Sequence, residues 1–405
     1  MVTLSRPREH ALVVILALAA FTYVVGVLQL SPLLTSIAAE FDVSESKVGQ
    51  LTTIGGLVGA ATALLAAPWM QRFSRRTWII AESGLLVIAL AMMAGAQSFV
   101  MLAVARIIAG VAGGALMANC FTAASEFIPD PQRRNRAVAI VASGTTLAIM
   151  AGLPILTLIE DAFGWRWASA SVIAPSIVVM MGALWLPDGR VMSAGVVERV
   201  GGFRHVVEHR ATLWLLAVLV VLFVAYLGWI TYFGAYVEQN FAGTAGRLGT
   251  LFLVGGLSEL AANALAPALF RRYSVFVFSL ISAVGLAVSL LGSGAIFSTE
   301  VSLFVSISLI HVFTSFLYIG SNTLLLDTQP VHRGSVMAIA SAATGFGGSA
   351  GALIAGLALS LSGDYETAYQ VLGALMLLSV VSLLLSRRSA DRDGRTVMQQ
   401  EIFED

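Results

Sequence analysis

Residues 133–152 read RRNRAVAIVASGTTLAIMAG, and residues 332–351 read HRGSVMAIASAATGFGGSAG. Superimposed at an offset of 199 residues, they align Arg134 with Arg333, Ala139-Ile140 with Ala338-Ile339, and Gly152 with Gly351. Each stretch starts with positive charge and runs into a long apolar, small-residue segment. A repeat separated by about half the chain predicts two related halves of membrane-embedded helices.

The rest of the composition agrees. Of 405 residues, 58% are hydrophobic and 11% charged, with a mean hydropathy of +0.88, outside the range of soluble domains. The 23 basic and 23 acidic residues cancel, so nothing in the net charge favours a nucleic-acid partner. Cys120 is the single cysteine, which excludes an internal disulfide, and neither a metal site nor a cofactor is expected. The apolar run from Ala11 is too long for a secretory signal, so no cleaved leader is expected.

A hydrocarbon core about 30 Å thick takes roughly 20 apolar residues per helix. Twelve such runs recur, with cores at 11–36, 47–69, 77–96, 100–125, 137–159, 167–186, 212–238, 247–269, 274–293, 300–325, 335–360 and 367–386; they are numbered here as spans 1 to 12. Backbone groups in lipid must be satisfied within a segment, and no alternating ten-residue pattern points to a barrel, so the expected fold is an all-α membrane protein. Nineteen arginines fall on one side of these spans, against Lys47, Arg166 and Arg247 on the other. Positive charge stays in the cytoplasm, so both termini are predicted there, in an integral multi-pass protein of the plasma (inner) membrane. The polar stretch 187–211 is the longest connection and is expected to be a cytoplasmic linker between a six-helix half at 1–186 and another at 212–386, followed by a tail at 387–405.

Four stretches carry a family resemblance. AAPWMQRFSRRTWII (66–80) resembles the latch loop after the second helix of the major facilitator superfamily, and RIIAG (106–110) its arginine motif in the fourth. PDPQRRNRAVAI (129–140) resembles the short basic loop that follows. SGTTLAIMAGLPILTLIEDAFGWRWA (143–168) is similar to the fifth helix of drug:proton antiporters, most closely the arabinose-efflux-permease-like branch, whose members export sugars, purines, nucleosides or drugs. The resemblance implies two pseudo-symmetric six-helix halves that rock about a central site, a small-molecule substrate, protons as coupling ion and a monomer in the bilayer. Ala67, Gln71 and Ser74 depart from the latch pattern, where glycine, aspartate and glycine are usual. Leu28 and Gln29 stand where related exporters often carry a carboxylate, so the proton site of those relatives does not carry over.

Charge inside a membrane is costly and marks function or a buried partner. Arg106 is expected about 10 Å deep in span 4 at 1.5 Å per residue, either snorkelling towards the interface or facing a cavity with Tyr23 and Gln29 of span 1. Asn119, one face of the same span, joins the candidate cavity set. Glu259, near the middle of span 8, and His311, at comparable depth in span 10, are rival candidates for carrying a proton; a structural Glu259 bonded to Asn263 is the plain alternative. Trp229, Tyr232, Phe233 and Tyr236 give span 7 a ring-rich face that suits either a cavity wall or an interfacial belt. Glu82, close to the arginine-rich end of span 3, is expected to serve an interface or a latch.

At that same side, Arg72, Arg75 and Arg76 belong to the latch-like loop. Glu126 with Arg133, Arg134 and Arg136, and Asp327 with His332 and Arg333, are expected to form a pair of latches. Gly152 and Pro154 predict a bend in span 5, and the glycines around Gly110 and Gly345 predict close helix packing. HVVEH (205–209) fits a zinc-protease pattern and GFGGSA (345–350) a dinucleotide fingerprint, but neither has the surrounding structure its chemistry needs. The expectation is a proton-coupled exporter of a small organic compound rather than an enzyme. An uptake carrier of the same fold is the first alternative, and a membrane enzyme or a non-transporting receptor the remote one.

Overall fold

The computed structural model describes residues 6–66, 72–128, 130–187, 208–241, 245–293, 299–329 and 333–404. Among these, eleven helices are long and apolar enough to cross a membrane, from Arg8–Glu40 through to Tyr365–Ala390. The twelfth expected span is the shorter apolar helix Val275–Leu291, which Gly292 closes after 17 residues, about 26 Å. The fold is therefore all-helical, as the hydropathy predicts. Most of the expected linker, 188–207, lies outside the described residues, as do Ala67, Gln71, His332 and the first three residues of HVVEH.

Prolines shape the spans. Span 1 is two helices, Arg6–Leu28 and Leu30–Glu40, broken at Gln29. Pro32 has no N–H to offer the carbonyl of Leu28, and its ring crowds that carbonyl, which opens the preceding turn. Span 5 runs from Pro131 to Phe163 and widens into a π turn over Ala148–Gly152, just before Pro154. Sequence led to a bend there, and its form is this wide turn. Gly164, with φ +85°, ends span 5, and Gly363, with φ +71°, ends span 11. Each donates its N–H to the carbonyl four residues back, Glu160 and Leu359 respectively. The two caps are again 199 residues apart, so the repeat read at 133–152 extends into backbone conformation.

The chain separates into two compact units. The first comprises Met1–Ser193, Trp229–Leu257 and Ala355–Tyr365; the second comprises Ala194–Gly228, Ser258–Ile354 and Glu366–Asp405. In the first, Leu16, Ile79, Leu116, Cys120, Val141 and Val179 belong to one buried cluster that joins spans 1, 3, 4, 5 and 6. Spans 2 and 4 cross at backbone contact, because a side chain at Gly110 would run into the Gly55 carbonyl and one at Gly114 into the Gly59 carbonyl. In the second, Gly347 and Gly351 bring span 11 onto the carbonyls of Val220 and Val224. The glycines of GFGGSA thus serve helix packing within Arg333–Ser362.

Candidate functional site

Arg106 is buried, at 4% exposure, and reaches the break in span 1. Its Nη1 donates to the Gly26 carbonyl at 2.7 Å and its Nη2 to the Val27 carbonyl at 3.2 Å. Gln29 Nε2 also donates to Gly26, at 3.0 Å. The guanidinium therefore fastens span 4 to carbonyls beside a proline-induced kink, where a helix backbone has acceptors to spare. Its Nε and the Gln29 amide oxygen are buried without partners. Tyr23 lies close enough to interact electrostatically with Arg106, and its ring occupies the space that a side chain at Gly113 would need. Tyr23, Gln29 and Arg106 are thus gathered at one place, bound mostly to backbone.

A second polar chain runs through spans 3 and 4 towards their arginine-rich ends. Arg75 grips Glu126 with two hydrogen bonds, Nε to Oε2 at 3.1 Å and Nη2 to Oε1 at 3.2 Å, and donates Nη1 to Asn119 Oδ1 at 3.1 Å. Asn119 Nδ2 in turn donates to both oxygens of Glu82, at 2.9 and 3.1 Å. Asn119 therefore sits in this network rather than beside Tyr23 and Arg106. Glu126 pairs with Arg75, while Arg133 turns to Glu9 at 2.9 Å and to Asp130 at 3.5 Å. Arg72 is exposed, Arg76 and Arg134 are half-buried, and Asp327 is exposed. The side chain of Arg333 lies outside the described residues, so the second expected latch is described in its acidic half alone.

The ends of spans 7, 8 and 11 that belong to the first unit close against spans 1, 2 and 5 on the side opposite the arginines. Ser31 donates to the Ile230 carbonyl, Thr35 to Glu238, and Ser46 to the Gly356 carbonyl at 2.6 Å. Tyr232 donates its hydroxyl to the Ser46 carbonyl at 3.3 Å, while Gln239 and Tyr365 both donate to Glu45. Glycine makes the seam tight: Gly234 faces the Ser31 carbonyl, Gly49 the Tyr232 ring, and Gly256 the backbone of Met150 in the π turn. Gly152 faces Val25 and Phe21 of span 1. Trp229, Tyr232 and Tyr236 are fully packed here, with the Trp229 and Phe233 rings 4.7 Å apart and those of Tyr236 and Tyr365 6.1 Å apart. The ring-rich face of span 7 is the body of a closed seam.

In the second unit, His311 Nδ1 lies 3.2 Å from Glu259 Oε2, bringing together spans 8 and 10. The imidazole is wholly buried, and the Tyr226 ring meets it edge-on at 5.7 Å. Two residues taken as rivals in the sequence are one pair in space. Glu259 meets His311 across the two helices.

An all-helical bundle with ionisable groups held inside its spans calls for comparison with known carriers. The family model of the Major Facilitator Superfamily matches residues 12–296 and again 277–401. The chain belongs to that superfamily. A chloramphenicol efflux pump of Mycobacterium tuberculosis is 31% identical over 205 residues, 50% of this chain and 49% of that protein. The chain therefore spans about half the length of that curated relative in the match. A protein of Mannheimia succiniciproducens named a probable sugar efflux transporter is 27% identical over 396 residues, 93% of this chain and 94% of its own length. Among solved structures, a bacterial homologue of the human lysosomal transporter Spinster, inward-facing and occupied, superimposes with a TM-score of 0.77 at 14% identity, covering 96% of this chain and 98% of that one. This likeness concerns the fold.

As a member of the superfamily, the chain is a transporter rather than an enzyme. Sequence reasoning missed most of the seam. Glu45, Glu238, Gln239 and Tyr365 read as ordinary residues at the ends of spans, and their partners lie about 190 to 320 residues away, beyond any local pattern. It also missed the cluster in which Glu40 accepts from Trp165 and Arg166 while Arg166 Nη2 reaches the Ala96 carbonyl at 2.6 Å. A carboxylate at the end of span 1 and an arginine at the start of span 6, both opposite the arginine-rich side, were the available signal.

Proposed function

We propose that this chain is a proton-coupled exporter of a small organic compound, and that Glu259 and His311 together hold the coupling proton. The observation that carries the reading is their 3.2 Å approach between two spans. A carboxylate beside an imidazole shares protons as a unit, so gaining or losing one changes the charge of the pair while neither group is left alone in an apolar medium. Span 1 has Leu28 and Gln29 where related exporters often carry a carboxylate, which leaves the pair as the central acidic site.

In this reading the halves 1–186 and 212–386 rock about a site between them, with both termini in the cytoplasm, in the plasma (inner) membrane and as a monomer. The seam opens and re-forms as the halves rock, while the Arg75–Glu126 network, which lies within the half 1–186, moves with that half. Exporter direction is supported by the names of the relatives, one for chloramphenicol and one for sugars. The substrate panel accordingly starts with chloramphenicol and continues through sugars, purines and nucleosides. Purified protein in inside-out vesicles, given an acid interior, should accumulate at least one panel compound and release protons as it does so. Accumulation driven by the opposite gradient would make it an uptake carrier, and no proton movement during accumulation would remove the coupling.

A further inference from the structure

In the second unit, spans 9 and 12 lie side by side and run in opposite directions. A side chain at Gly373, in the first part of span 12, would meet Leu290 and the Leu291 amide at the far end of span 9. At the other end, the Arg387 guanidinium lies over the Phe276 ring, 4.9 Å from its centre, where span 9 begins. That stacking brings the end of span 12 against the turn between spans 8 and 9. Span 8 closes on Arg271 and Arg272, only a few residues before Phe276. Two arginine pairs from distant parts of the sequence, 271–272 and 387–388, thus meet at one level.

All four arginines are exposed. Among the described residues none of them is ion-paired with a carboxylate. The chain beyond does not reverse the sign, since residues 387–395 hold four arginines against two aspartates. Like charges gathered in this way repel, and an anion between them removes the repulsion. The surroundings say which kind of anion. The Phe278 ring packs on Phe270 at 6.0 Å and on Tyr273 at 5.7 Å, an aromatic layer at the foot of the arginines. Tyr273 is itself exposed, as a ring at a membrane–water boundary is. Val277 and Ile281, one turn apart on span 9, and Leu384, one turn before the arginines of span 12, are exposed apolar side chains leading away from the charge. A guanidinium donates two parallel N–H groups to a phosphate, and the apolar surface beside it suits acyl chains.

We propose that Arg271, Arg272, Arg387 and Arg388 form a headgroup site for an anionic phospholipid of the surrounding bilayer, with its acyl chains along Val277, Ile281 and Leu384. Phe276 is a positioning residue that seats Arg387. The site is separate from the Glu259–His311 pair, and neither the transport reading nor the orientation of the chain enters the argument.

The test is a native mass spectrometry titration of the full-length protein in a neutral detergent, with phosphatidylglycerol or with phosphatidylcholine of the same acyl chains. Wild type should bind phosphatidylglycerol roughly tenfold or more tighter, and Arg271→Gln/Arg272→Gln and Arg387→Gln/Arg388→Gln should each lose most of that preference. Arg6→Gln/Arg8→Gln removes the same charge from the first unit and should leave the preference intact. Glycerophosphoglycerol, the headgroup without acyl chains, should not displace the lipid. Equal binding of the two lipids by wild type, an equal loss in Arg6→Gln/Arg8→Gln, displacement by the free headgroup, or wild-type preference in either folded arginine-pair variant would overturn the proposal. The lipid comparison, the free headgroup and the Arg6/Arg8 control decide it even if a site variant fails to fold.

Discussion

Replacing Arg106 by leucine removes both donors that reach from span 4 to the kink of span 1. The two carbonyls do not suffer alike. Gly26 keeps the Gln29 amide at 3.0 Å, whereas Val27 loses the side-chain donor at 3.2 Å. An unsatisfied buried carbonyl costs about 1–3 kcal/mol, so Arg106→Leu loses that at Val27, offset by relief from burying a guanidinium. Gln29→Leu leaves Gly26 bonded to Arg106 at 2.7 Å and should cost less than about 1 kcal/mol. In the double variant neither carbonyl has a side-chain donor, and the loss at Gly26 appears for the first time. The relief from removing the guanidinium enters both Arg106 variants equally and cancels in a double-mutant cycle. The cycle should therefore show the double variant about 1 kcal/mol or more less stable than the sum of the singles. Equilibrium denaturant unfolding of the four purified proteins measures this. Additivity within about 0.5 kcal/mol would refute shared bonding at Gly26.

Arg106→Lys keeps the charge but loses the planar fork, and is expected to abolish transport at near-normal membrane abundance; transport at the wild-type rate would make Arg106 a generic positive charge. Gly234→Val places a side chain on the Ser31 carbonyl and should hold the seam open, so that a cysteine at Ser46 reacts several-fold faster with a thiol reagent than in the Gly234 parent, and equal rates would count against a glycine-sealed seam. For orientation, impermeant thiol reagent applied outside cells should label cysteines at Asp42, Asp161 and Asp364 in a Cys120→Ala background but spare those at Phe73 and Asn135, both exposed on the arginine-rich side; the reverse pattern would invert the topology.

Hydropathy and arginine placement made the helices legible, because apolar length is a local property. Span 9 is the shortest among the described residues, since Gly292 closes its helix after 17 residues. Pro154 announced the bend in span 5, but Pro32, which breaks span 1 beside Arg106, passed unremarked as one more residue in an apolar run. Residues were found more readily than partners. Glu259 and His311 stood out separately as ionisable groups in mid-span, yet their 52-residue separation hides the contact. Asn119 shares a helix with Arg106, yet 13 residues place them almost four turns apart and at different levels of the bundle. The aromatic face of span 7 was visible in the sequence, while its burial depends on Gly49, Gly234 and Gly356 supplied by three different spans.

The central claim is that Glu259 and His311 carry the coupling proton, and pH-driven accumulation against counterflow tests it most directly. In reconstituted vesicles, with the panel compound that wild type accumulates, Glu259→Gln fixes the carboxyl in a neutral form and should reduce gradient-driven accumulation at least tenfold. Exchange of labelled for unlabelled compound without a gradient should persist. His311→Ala should impair accumulation in the same assay, and the double variant should be no worse than the more affected single variant, as expected of a pair that acts as one site. Full pH-driven accumulation by Glu259→Gln, and by the double variant, would contradict the account.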